Sequence, residues 1–207
     1  MNTSRDSFKY SVMLDSQNQK QEIVNQIIKP ENPLERQIIK DAAWLEGAFW
    51  GEPRRGHPEG KVIYHIQEVL SNVDRLSCSK KIRAQLRLIT LIHDTFKHKE
   101  EQVRPRKDWS KHHAIYAWKF AHQYISDKAV LDVIELHDEA YYAWGMSYYH
   151  HNQKGSQKRL KAVQKRMKQH MQLYYLFFKC DTKTGDKTQK PLDWFEQSVS
   201  NITLVNL

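Results

Sequence analysis

Apolar residues in this chain recur at intervals of three and four rather than two, and that spacing predicts helices from one end to the other. Residues 8–29 read as a first helix stopped by Pro30, and residues 33–50 as a second with Pro33 near its start. GEPRRGHPEG (51–60) breaks all periodicity and predicts a loop. KVIYHIQEVLSNVDRL then turns Val62, His65, Val69 and Val73 to one face. KKIRAQLRLITLIHDTFKH (80–98) reads as one helix whose stripe of Ile82, Leu86 and Ile89 ends in His93, with Asp94 beside it and Lys97 one turn along. Residues 99–110 form a charged linker with one proline. KHHAIYAWKFAHQYI puts His113, Ala117, Phe120 and Tyr124 on one stripe, and DKAVLDVIELHDEAYYAW does the same with Val130, Ile134 and His137 behind Asp127 as N-cap. Residues 141–157, aromatic and then polar, read as a loop or lid. Residues 158–181 read as one long helix with Val163, Met167, His170, Tyr174, Phe177 and Asp181 inward, then a turn and a short helix over 191–202. No internal repeat appears, so the pattern predicts a single all-α domain.

Composition agrees with that pattern. With 7 glycines and 6 prolines in 207 residues, turns are few and long helices are favoured over many short strands. The apolar share of 40% suits a globular chain with one good-sized core. No apolar run approaches the length that crosses a bilayer, and MNTSRDSFKYSVMLD has no apolar stretch like that of a signal peptide. Cys78 and Cys180 make neither a metal spacing nor a disulfide framework, so a reduced, cytoplasmic protein is expected. A net charge of +9 suits an anionic partner: a nucleotide, a phosphorylated metabolite or nucleic acid.

Eleven histidines are many for this length, and their placement changes the picture. His65, His93 with Asp94, His113, His137 with Asp138, and Asp181 each fall on or at the end of an apolar stripe, on separate helices. One polar residue on an inner face is ordinarily a satisfied core group. The same feature repeated along so small a chain points instead to convergence, because buried imidazoles and carboxylates need partners. A metal ion satisfies both at once, and a helical bundle is a suitable place to gather the ligands. The ligand candidates exceed the need of one ion and suggest two.

In order and context these residues resemble the HD superfamily of metal-dependent phosphohydrolases. YHIQEVL resembles its first histidine motif, LIHDTFKH its defining His-Asp motif with Lys97 where phosphodiesterase branches often carry lysine, and LFFKCD its last motif, an apolar helix ending in a metal-binding aspartate. His113 and His137 between them are similar to the two-metal branches, which include cyclic-dinucleotide phosphodiesterases and mixed-valent diiron oxygenases. The resemblance implies a helical bundle of the HD type over residues 51–185, with residues 1–50 as helices packing on it and 186–207 as a tail. It implies that His65, His93 and Asp181 bind a first ion, His113 and His137 a second, and that Asp94 bridges them. The ions would be divalent: Fe, Mn, Zn, Ni or Mg. His112 competes with His113 for its place, and the stripe of Ala117 and Phe120 favours His113. Asp138 stands as a ligand, a partner of one, or a helix end. HDEAYYAWGM lacks the Gly-Tyr-Pro element of the cyclic-di-GMP branch.

The expected chemistry is hydrolysis of a phosphate ester or phosphodiester in a small, nucleotide-like substrate. Asp94 and Lys97 are the expected catalytic pair, Lys97 stabilising phosphoryl oxygens. Arg54 and Arg55 are either a bidentate clamp for a second phosphate or solvated loop charges. His57 and Glu59 precede His65 in a constrained loop, as proton-transfer or supporting groups or as a plain turn. Tyr141, Tyr142, Trp144, Tyr148 and Tyr149 either stack a base or pack the domain's outer face. The basic run KRLKAVQKRMKQH reads first as a solvated face, which puts nucleic acid behind a small phosphorylated ligand. The competing expectations are a diiron oxygenase of the same fold and a non-catalytic nucleotide-sensing module.

Overall fold

The computed structural model describes residues 17–100 and 108–207. Helix α1 covers residues 17–28 and ends at Lys29, whose φ of 47° turns the chain just ahead of Pro30. Then come α2 (Pro33–Ile38), α3 (Ala42–Ala48), α4 (Val62–Arg75), α5 (Lys80–Ile92), α6 (His113–Ala121), α7 (Lys128–Leu136), α8 (Glu139–Tyr148), α9 (Gln153–Met167), α10 (Met171–Thr182) and α11 (Lys190–Ser198). Among the described residues there is no strand, only an isolated bridge between Arg54 and His57, and no helix is long and apolar enough to cross a membrane. Cys78 and Cys180 are free thiols.

The helices are shorter than periodicity predicts, because capping groups interrupt stripes that remain in phase. The predicted helix over 33–50 is two. Asp41 adopts extended φ and ψ, and its carboxylate accepts from the Ala43 and Trp44 amides, restarting the chain as α3. The helix predicted through residue 98 stops at Ile92. The Leu91 carbonyl accepts from the Trp44 indole at 2.7 Å and from the Thr95 hydroxyl at 2.8 Å, so His93 and Asp94 lie in a turn. Likewise α7 ends before His137. The segment 141–157 is not a loop: Tyr141, Tyr142, Trp144 and Tyr148 ride on α8, and α9 begins at Gln153. The long helix over 158–181 breaks at Lys168, whose φ of 45° leaves His170 exposed rather than on the inner stripe. Residues 8–16 of the first predicted helix and 101–107 of the linker lie outside the described residues.

Helix α10 is apolar nearly all round and is buried on nearly every side, the pattern of a central helix. It packs against α4, α5 and α7. Asn72 of α4 donates its amide to the Cys180 and Lys183 carbonyls at 2.8 and 2.9 Å, satisfying the end of α10 and holding Asp181 beside α4. The N-terminal helices buttress the His93–Asp94 turn. Trp44 is fully buried against α5, and Gly47 lies so close to Thr95 that an added Cβ would come within 1.7 Å of its carbonyl oxygen. Only glycine fits there. Gly47→Ala is therefore expected to destabilise the protein by about 2 kcal/mol, the cost of overpacking, read as a lower unfolding temperature.

Candidate metal centre

Five elements deliver one polar cluster. His65 comes from the middle of α4, His93 and Asp94 from the turn after α5, His113 from the first position of α6, His137 from the end of α7 and Asp181 from the last turn of α10. All four imidazoles are buried. His65, His93 and Asp181 bring one ligand atom each within 4.8 Å of one another, and Asp94, His113 and His137 do the same. These buried His/Asp groups could hold metal ions, and their helical setting is compatible with an HD-type fold.

Asp94 lies between the two groups. Its Oδ2 is 3.5 Å from the Nε2 atoms of both His65 and His93, and its Oδ1 is 3.3 and 3.4 Å from those of His113 and His137. Within the first pair the Nε2 atoms are 3.4 Å apart, and within the second 3.1 Å. Asp181 Oδ1 is 2.9 Å from His65 Nε2 and 3.8 Å from His93 Nε2. A four-coordinate ion with bonds of about 2.1 Å has neighbouring ligand atoms about 3.4 Å apart, so the spacing fits a cation.

The outer nitrogens explain why the rings face inward. His93 Nδ1 donates to the Thr90 carbonyl at 3.0 Å and His137 Nδ1 to the Ile134 carbonyl at 2.9 Å. His113 Nδ1 donates to the Glu100 carboxylate, and His65 Nδ1 faces Glu59 Oε1 at 3.4 Å. His93 and His113, kept neutral by burial and with Nδ1 so committed, turn a lone pair inward at Nε2. Each faces the Nε2 of a second imidazole, so a proton or a cation must lie between the two nitrogens of each pair.

The local charges follow from burial and pairing. Burial pushes His93 down to about 3 and also lowers His113. Burial pushes His137 down too, but Asp138 and Asp94 outweigh it and raise this ring to about 9. Burial raises the Asp94 and Asp181 carboxyls, yet both end well below the usual carboxylate range. Lys97 and His93 dominate at Asp94, and Lys187 and His65 at Asp181. The cluster thus holds ionised carboxylates matched by the positive charges of Lys97, Lys187 and the His137 ring.

A cavity of about 530 Å³ opens above the cluster, bordered by Asp94, Asp181, Lys97, Lys187, His57 and Arg55 among others. The Lys97 ammonium is ion-paired with Asp94 Oδ2. Arg54 and Arg55 are both exposed: Arg55 lines this cavity, and Arg54 borders a small adjoining recess that shares His57, Asp94 and Lys97 with it and also reaches His65. His57 lines the cavity and binds Glu59 Oε1 through Nδ1 at 2.8 Å. Burial lowers His57 to about 4; burial raises Glu59, but His65 and His57 outweigh it and hold that carboxyl at about 2. His112 lies at the edge of the cluster: its Nδ1 accepts from the Ala114 amide, its Nε2 meets the Tyr142 hydroxyl at 2.9 Å and Asp138 Oδ2 at 3.4 Å, and with Glu100 and His113 it forms a further group that could hold a metal ion. Of the aromatic set, Tyr141 and Tyr149 line the cavity, whereas Trp144 is buried and stacks on Tyr148.

Two groups in contact with the cluster escape sequence reasoning. Lys187 reaches Asp181 Oδ1 at 2.9 Å and its carbonyl at 3.1 Å, and Glu100 orients His113. Both sit in charged turns whose sequences look solvated, and no periodicity marks them. Compared with family models, curated proteins and solved structures, the chain matches none of them.

Proposed function

We propose that this protein is a metal-dependent phosphohydrolase of the HD type, cleaving a phosphate ester or phosphodiester of a small, nucleotide-like substrate. The observation that carries the reading is the position of Asp94, one carboxylate oxygen toward each imidazole pair, on the floor of a cavity bordered by Lys97, Lys187 and Arg55. The motifs that resemble the HD superfamily are the ones that supply this cluster.

Bound there, divalent cations would supply Lewis acidity and an activated water at neutral pH. His65, His93 and Asp181 would hold one ion and His113 and His137 the other, with Asp94 shared. Asp94, Asp138 and Asp181 meet the ammonium groups of Lys97 and Lys187, so two dications leave a surplus of positive charge, as an anionic substrate requires. Lys97 and Lys187 stand where they would stabilise phosphoryl oxygens in the transition state, each such donor contributing about 3 kcal/mol. Arg55, at the exposed rim, would hold a distal phosphate. Glu59 holds the Nδ1 hydrogen of His57, which leaves Nε2 as the atom able to exchange a proton with substrate. Tyr141 and Tyr149, which line the cavity, are the rings on which a nucleobase would stack.

Four imidazoles also suit iron, which supports the diiron oxygenase as second reading. Metal analysis of protein purified without added metal, together with product analysis on a panel of phosphate monoesters and phosphodiesters, separates the two. Inorganic phosphate from a monoester, or a monoester from a diester, formed in dependence on Mn, Ni, Zn or Mg is the expected result. Two irons, an oxidised-iron absorption band and no hydrolysis product would replace the hydrolase by the oxygenase. Tight nucleotide binding by metal-free protein would replace both by a sensor.

A further inference from the structure

Asp138 occupies the N-cap position of α8, yet its side chain makes no capping hydrogen bond. The aspartates in the same position elsewhere do cap: Asp41 accepts from the Ala43 amide at 2.8 Å and Asp127 from the Ala129 amide at 2.9 Å. A capping carboxylate typically stabilises a helix by about 1 kcal/mol. At Asp138 that gain is forgone, because the carboxylate turns inward to the second histidine pair.

There its Oδ2 lies 3.4 Å from His113 Nε2 and 3.6 Å from His137 Nε2, the two atoms that also face Asp94 Oδ1. We propose that Asp138 is the terminal carboxylate ligand of the second cation, which makes the two halves of the centre equivalent. This rests on the dinuclear reading above.

The equivalence is visible in the distances. Around the first pair, His65 and His93 are 3.4 Å apart, Asp181 stands 2.9 and 3.8 Å from them, and Asp94 Oδ2 3.5 Å from each. Around the second, His113 and His137 are 3.1 Å apart, Asp138 stands 3.4 and 3.6 Å from them, and Asp94 Oδ1 3.3 and 3.4 Å. Each half thus has two imidazole nitrogens, one terminal carboxylate and one oxygen of the shared Asp94, with imidazole–imidazole and imidazole–carboxylate distances near the ligand spacing of a four-coordinate ion. No imidazole of the described residues comes closer than 3.4 Å to Asp138 Oδ2, so its pairing with them is long. Among the described residues, the other donors that reach Oδ2 are His112 Nε2 at 3.4 Å and the Tyr142 hydroxyl at 3.4 Å. Charge-assisted bonds to a carboxylate are normally about 2.7–2.9 Å.

The test is Mn²⁺ binding to the full chain, by equilibrium dialysis and electron paramagnetic resonance, with thermal unfolding to establish that each variant is folded. The wild type is expected to hold two ions with an exchange-coupled signal. Asp138→Asn is expected to keep one and to weaken the other about a hundredfold, the upper range for support of a ligand, so that the signal becomes that of isolated Mn²⁺. Asp138→Ser, which can still cap α8, gives the same comparison if the asparagine variant does not fold. A folded variant that holds both ions within threefold of wild type overturns the assignment. So does one that loses both ions together, since Asp138 would then support the whole centre. A wild type that binds fewer than two ions overturns the dinuclear reading as well.

Discussion

Asp94→Ala is expected to remove both ions and with them all measurable hydrolysis of phosphate esters and diesters. The reason is geometric: each oxygen of this one carboxylate faces a different imidazole pair, so its loss is felt on both sides at once. Loss of a group that merely supports a metal ligand costs tenfold to a hundredfold in affinity. A shared ligand should exceed that at each position, more than about 2.7 kcal/mol per ion. The Lys97 ammonium also loses its partner. Asp94→Asn keeps the shape and removes the charge, so similar losses in the two variants would assign the effect to charge rather than to a cavity. Metal content per chain, hydrolysis product and the unfolding temperature are the three readouts. An Asp94→Ala protein that keeps its metal and hydrolyses phosphate esters or diesters at the wild-type rate would show that the cluster is not the active centre.

The second large effect lies away from the cavity, where α5 meets the N-terminal helices. Arg87 and Glu35 are both buried, and the guanidinium contacts the carboxylate at 2.8 Å while reaching the Ile28 and Lys29 carbonyls at 3.4 and 3.3 Å. Glu35 also accepts from the Glu31 amide and the Asn32 side chain, each at 2.9 Å. Arg87 thereby ties the end of α1 and the start of α2 to the helix that carries the His93–Asp94 turn. Arg87→Met leaves a buried carboxylate without its counter-ion, a loss of about 3–5 kcal/mol. For a chain of this size that lowers the unfolding temperature by roughly 10 °C. Removing both charges, as in Arg87→Met with Glu35→Leu, should cost less than the two single changes added together, because neither partner is then stranded. Additive losses in calorimetry would show that the pair is not coupled.

Much of this was legible before any coordinates. The stripe of Val62, His65, Val69 and Val73 is buried as a unit on α4, and Asp127 caps α7 as its position suggests. Side-chain direction repeats with the helix, so a residue in phase with an apolar stripe points inward whatever the rest of the chain does. Periodicity is blind to helix ends, however. The stripes continue through Asp41 and Ile92 although the helices stop there, since capping carboxylates and long-range acceptors such as the Leu91 carbonyl decide where the backbone turns. His170 shows the cost: in phase on paper, it is exposed because Lys168 resets the helix.

For the cluster, the residue types, their order and the stripes they end were determined by the sequence alone, because local periodicity dictates which side chains are turned toward a core. Only the tertiary structure decided that His65, His93, Asp94, His113, His137 and Asp181 meet, that Lys187 and Glu100 join them from charged turns, and that Arg54 and Arg55 border adjoining recesses over the same Asp94 and Lys97. Those outcomes depend on contacts between helices far apart in the chain, and a spacing rule that sees one helix at a time carries no information about them.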